Sequence, residues 1–124
     1  MADHDADEIM NALAHSISST YSLLVDVCQA LPVPITMPTD RHIPTSTALP
    51  AIRRAEMLAQ EEPMGETQEV QLRSGCIYLL AAIDLYALCA TRYEETRAEG
   101  VGANLLHADD ALKTLLVWLL ANTG

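Results

Sequence analysis

The chain has 124 residues, enough to enclose one hydrophobic core, and half of them are hydrophobic, although only 4% are aromatic and none is Phe. A core restricted largely to Leu, Ala, Ile, Val and Met favours helices over strands. The formal net charge of −10 opposes contact with a nucleic-acid backbone, which requires Lys and Arg to displace counterions, so direct DNA or RNA binding is not expected.

The acids are grouped. Asp3, Asp5, Asp7 and Glu8 precede the first basic residue, Arg41, and Glu56, Glu61, Glu62, Glu66 and Glu69 form a second group. Such a surface disfavours acidic partners and admits basic ones. The acidic start does not read as a targeting signal. Cys28, Cys76 and Cys89 lack CxxC spacing and are odd in number, which argues against a disulfide framework and for a reducing, cytoplasmic location. The longest apolar run, Cys76 to Ala90, is interrupted by Asp84 and is shorter than the roughly 20 residues that cross a bilayer, so it is expected to be core and no membrane contact is expected.

The first predicted element is a helix over about 7 to 31. Met10, Leu13, Ile17, Leu24, Val27 and Leu31 recur at steps of three and four, with Thr20 in the same seam. Asp5 or Asp7 is its expected N-cap, and Pro32 and Pro34 its stop. Residues 32 to 50 hold five prolines and form a Pro-rich connector, read as pinned across a helical surface by Val33, Ile35, Met37, Ile43 and Leu49 in preference to a mobile linker. A short helix is predicted over about 51 to 62, opened by Pro50 and closed by Pro63 and Gly65.

The longest helix is predicted over 67 to 99, with Thr67 as N-cap and Gly100 and Gly102 as its end. Its seam is Leu72, Cys76, Leu79, Ile83, Tyr86, Ala90 and Tyr93. A second apolar set, Ile77, Tyr78, Leu80, Leu85 and Leu88, lies off that seam. The last helix is predicted over 104 to 121, with Leu105, Ala108, Leu112, Leu115 and Leu119 on one seam and Leu106, Leu116, Val117 and Leu120 beside it. The expected fold is thus all-α: a single domain over 1–124, a small bundle of three to four helices. Leu80, Leu88, Leu116 and Leu120 are its candidate partner or self-association surface, most simply buried in a homodimer, the rival being that the connector folds over it with Val33, Ile35, Met37 and Ile43.

No phosphate-cradling glycine loop, nucleophile elbow, zinc pair or calcium loop is present, and none of the four His follows a Glu by three positions as a di-metal bundle requires. No catalytic residue, metal or cofactor is assigned. His107 with Asp109 and Asp110 is the densest polar group, suited to acid–base work but read as a helix-start cluster favoured by the helix dipole. Asp84 is either a buried functional carboxylate or part of a solvated strip with Arg73, Thr91 and Glu95, the second being preferred. His4 among Asp3, Asp5 and Asp7 is read as a solvated terminus rather than a cation site.

The expected function is that of a non-enzymatic module that binds a protein partner with a basic surface and modulates it, as inhibitor, antiactivator or adaptor. The alternative is a ligand-binding or catalytic bundle with a pocket between the long helices, lined by some of Tyr78, Tyr86, Tyr93 and Trp118.

Overall fold

The computed structural model describes residues 2–41 and 43–122, with side chains from Asp5 onward. Among these residues it is all-helical, with four α-helices, α1 (Ala2–Ala30), α2 (Thr45–Leu58), α3 (Glu66–Thr91) and α4 (Glu95–Asn122), and a 3-10 turn at Ala59–Glu61.

In α1 the predicted seam meets the core through its C-terminal half: Thr20, Leu24, Val27 and Leu31 are buried, while Leu13 and Ile17 lie partly buried against them. The helix begins earlier than the acidic run suggests. Asp5 and Asp7 therefore sit within its first turns rather than at its cap, where carboxylates still face the positive end of the helix dipole.

After Ala30 the prolines prevent further helix, and the chain folds back on itself. The Ile35 amide donates to the Cys28 carbonyl (3.1 Å), and Ile35 and Met37 are buried on either side of exposed Thr36, the alternation of an extended segment. Val33, by contrast, is 57% exposed. Side-chain hydrogen bonds also hold this stretch. The Tyr21 hydroxyl donates to the Pro38 carbonyl (2.8 Å), Arg54 Nη2 to the Thr36 carbonyl (2.6 Å), and the Val33 amide to Glu62 Oε1 (2.9 Å).

α2 starts at Thr45, well before the predicted 51. Pro44, with φ −61° and ψ 147°, is the residue that caps it, and its carbonyl accepts from the Thr47 and Ala48 amides. Pro50 lies inside the helix instead of opening it, at the loss of one bond to the Ser46 carbonyl. Ile52, Ala55 and Ala59 form the buried edge.

α3 begins at Glu66 on a Gly65 cap, so Thr67 is in the first turn and is not the cap. It ends at Thr91, not Glu99. Arg92 turns to extended backbone (φ −144°, ψ 99°), and α4 starts three residues later. The turn is held by Arg97, whose Nη1 donates to the Arg92 carbonyl (3.2 Å) and lies 3.7 Å from the Glu94 carboxylate, and by the Cys89 thiol against the Glu94 carbonyl (3.7 Å). Gly100 and Gly102 are thus interior to α4. A Cβ on Gly100 would lie 2.7 Å from Leu85 Cδ2, the tip of a partly buried side chain.

α3 and α4 form the most extensive helix pair and run antiparallel, since Gly75 faces Leu112, Tyr78 faces His107 and Leu85 faces Gly100. α1 packs on both, and α2 packs on α3. The core is aliphatic, with Leu24, Ile52, Leu72, Leu79, Leu112, Leu115 and Leu119 among its largest fully buried side chains. Each contributes roughly 1.5–3 kcal/mol relative to exposure. By length and composition α3 is apolar enough to cross a membrane, and at 26 residues it exceeds the run read from the sequence. Its Leu72, Cys76, Leu79, Ala82 and Ile83 are taken up by the core.

Candidate functional site

The packing of α3 and α4 consumes their main seams and only part of the second apolar sets. On α3, Leu80 and Leu85 are partly buried against the core, whereas Val70, Ile77 and Leu88 are about half exposed. Val70, Ser74, Ile77, Ala81, Asp84 and Leu88 follow at steps of three and four and share one outward face. On α4, Leu116 and Trp118 are partly buried, and Leu106, Val117 and Leu120 are exposed. The seam between the two outward faces carries a ring pair: Tyr78 and His107 stack with centroids 5.0 Å apart and an interplanar angle of 26°.

The candidate surface of Leu80, Leu88, Leu116 and Leu120 is therefore not one patch. Leu80 and Leu116 face the core in part. Leu88 lies near the α3–α4 turn and Leu120 near the far end of α4, about 35 Å apart at about 1.5 Å per residue.

The polar candidates do not converge either. His107, Asp109 and Asp110 stand in the middle of α4, because the helix begins at Glu95, so the helix-start reading is corrected. Successive residues point in different directions. His107 reaches α3, exposed Asp110 faces outward, and Asp109 accepts a 2.8 Å hydrogen bond from the Thr20 hydroxyl of α1, which is 1% exposed. Asp84 is exposed on the outward face of α3, a solvated position. Arg73 pairs with Glu56 across to α2 (3.1 Å), and the Thr91 hydroxyl bonds back to the Ala87 carbonyl. Among the described residues no group of three His, Cys, Asp or Glu side chains is placed to hold a metal. The side chains of Asp3 and His4 lie outside the described residues.

The Cys28 and Cys76 thiols are poor nucleophiles. Burial, with the Glu62 carboxylate adding to it, pushes Cys28 up to about 12, and burial pushes Cys76 up as well. Both are protonated at neutral pH.

A cleft of about 300 Å³ opens between α1, α3 and the residues Asp40, Arg41, Ile43, Thr45 and Ala48. Ile17, Ser18 and Ser22 line one wall, Asp40 and Arg41 the rim, and Ile83 and Tyr86 the other wall. It is not between the two long helices, and of the four expected aromatic side chains only Tyr86 lines it. Ser18, Ser22, Asp40 and Arg41 were not singled out by sequence reasoning. The i, i+4 spacing of the two serines is a signal, and the apolar residues of the connector imply that it lies across a helical surface, but no local pattern says which face it covers.

Comparison of the chain with protein-family models, with curated proteins and with solved structures found no match.

Proposed function

We propose that this chain is a non-enzymatic interaction module, which binds a protein partner through the outward face of α3 and modulates it as an inhibitor, antiactivator or adaptor. The observation that supports this reading is the stripe of Val70, Ile77 and Leu88, left half exposed although α1, α2 and α4 all pack on α3. Asp84 lies within the stripe and Glu66 and Glu69 stand at the start of the same helix. With a net charge of −10, these acids suit a partner whose apolar contact is bordered by Lys and Arg. Free thiols fit a cytoplasmic setting.

The test is capture from the native cell with wild-type chain and with Ile77→Asp side by side. A protein with a basic surface held by the wild type and lost from the variant supports the reading; identical captures from both overturn it.

The cleft beside Arg41 favours a second reading, a helical bundle that binds a small molecule. Under that reading a cell-extract metabolite fraction raises the melting temperature, and Arg41→Ala abolishes the shift.

A further inference from the structure

The outer face of α4 carries an apolar stripe interrupted at its middle by one pair of opposite charges. Ala103, Leu106, Asp110, Lys113, Val117 and Leu120 alternate steps of three and four, the 3.5-residue repeat of helices that pair. All six are exposed, and Leu106, Val117 and Leu120 are 67%, 70% and 63% exposed. The stripe is about 26 Å long at 1.5 Å per residue. Lys113 is the only lysine of the chain. Among the described residues neither it nor Asp110 takes part in an ion pair.

The order of the stripe is self-complementary when reversed. A second α4 laid antiparallel, with a twofold axis between positions 110 and 113, sets Leu106 against Val117 and Ala103 against Leu120. The same axis sets Asp110 against Lys113, and it does so twice. A parallel arrangement instead sets Lys113 on Lys113 and Asp110 on Asp110, which like-charge repulsion opposes.

We propose that the outer face of α4 is a self-association surface, on which a second copy of this chain lies antiparallel with Asp110 of each copy against Lys113 of the other. Charge complementarity selects this occupant. In a chain of net charge −10, the one lysine sits where an identical copy presents an acid. The apolar pairs supply the attraction, and the central charges fix direction and register, as a single polar layer does in coiled coils. The 3.5-residue repeat drifts slowly around an α-helix, so the two α4 helices cross at a shallow angle of about 20°. One helix pair of this length is a small interface, so the dimer is a weak one, formed in the micromolar range.

The contact is independent of the α3 reading, and its test separates the two. Sedimentation equilibrium of the full chain at roughly 100 µM, a concentration suited to a small interface, is expected to give twice the 13.5 kDa chain mass. Lys113→Glu and Asp110→Lys each place like charges together on both sides of the axis, and each is expected to weaken the dimer by roughly tenfold or more. The combined Asp110→Lys/Lys113→Asp exchange restores it, a rescue that mere loss of folding would not show. Ile77→Asp on α3 leaves the dimer intact. A monomeric wild type, a dimer indifferent to both charge reversals, or a paired exchange that fails to rescue would overturn the proposal.

Discussion

A Cβ atom built on Gly75 of α3 lies 2.5 Å from Cδ2 and 2.6 Å from Cγ of Leu112 on α4. Leu112 is fully buried in the core and has no open space into which to swing, so the absence of a side chain at position 75 sets how closely the two helices approach.

Gly75→Ala is therefore expected to destabilise the fold by about 1–3 kcal/mol through overpacking, although Ala is the better helix former. Gly102 is the internal control. It is also inside a helix, with nothing within 4 Å of its would-be Cβ, so Gly102→Ala should stabilise by about 0.5–1 kcal/mol. Thermal melts check both, with opposite shifts of roughly 3–6 °C per kcal/mol. Equal shifts of the same sign would mean that the close approach at Gly75 has no energetic consequence.

The Thr20 to Asp109 hydrogen bond joins α1 to α4 from a hydroxyl that water does not reach. Thr20→Val keeps the shape and removes the donor, and it is expected to cost about 1.5–3 kcal/mol, the range for a bond to a charged group. Asp109→Ala leaves the hydroxyl buried and unpaired, with a similar loss. The double variant should lose less than the sum of the two, and additive losses in chemical denaturation would show that the bond contributes nothing.

The seams of the long helices are legible where apolar residues at steps of three and four leave little choice of inward face: Leu72, Cys76, Leu79 and Ile83 are buried as their spacing implies, whereas Ala90, placed on the same seam, is exposed and Tyr93 falls beyond the end of α3. Punctuation was less reliable. Gly100 and Gly102 read as a helix end, yet one of them admits Leu85 and the other meets nothing, facts of tertiary contact that no local pattern carries. Pro50 read as a helix start, because the cost of a single missing bond inside α2 is offset by Ile52 and Ala55 reaching the core. His107 and Asp109 were grouped by adjacency, but about 100° per residue sends one toward α3 and the other toward α1. The second apolar sets were recognised as surplus, while their division into half-buried and exposed members depended on the neighbours.

Glu62, which the sequence shows only as one of a group of acids, and Arg54 hold the segment between α1 and α2. Glu62 is 9% exposed and its Oε1 accepts from the Val33 amide, while Arg54 Nη2 donates to the Thr36 carbonyl. Glu62→Ala removes the acceptor of that amide and is expected to cost about 1–2 kcal/mol; Arg54→Ala, at an exposed position, should cost under about 1 kcal/mol. Hydrogen exchange reads the local effect. Protection of the Val33 and Ile35 amides should fall in Glu62→Ala more than protection within α3, and uniform loss across the chain would argue against a pinning role.

The raised Cys28 thiol makes stability depend on alkaline pH with a definite sign. Unfolding returns it to its ordinary value of 9.0 from about 12 in the native chain. Below pH 9 both states hold the proton, and the contribution is fully present. Between pH 9 and about 12 the unfolded chain sheds a proton that the native chain keeps, so the unfolded state binds fewer protons and stability falls as pH rises. The slope approaches about 1.4 kcal/mol per pH unit for one such thiol. Cys76, raised by the same burial, adds a loss of the same sign. Urea denaturation under reducing conditions at pH 8 and at pH 10.5 should thus show a clear loss at the higher pH, and Cys28→Ala should shrink the difference while lowering stability at pH 8 through its small cavity. A difference between the two pH values that is as large in Cys28→Ala as in the wild type would place the alkaline sensitivity elsewhere in the chain.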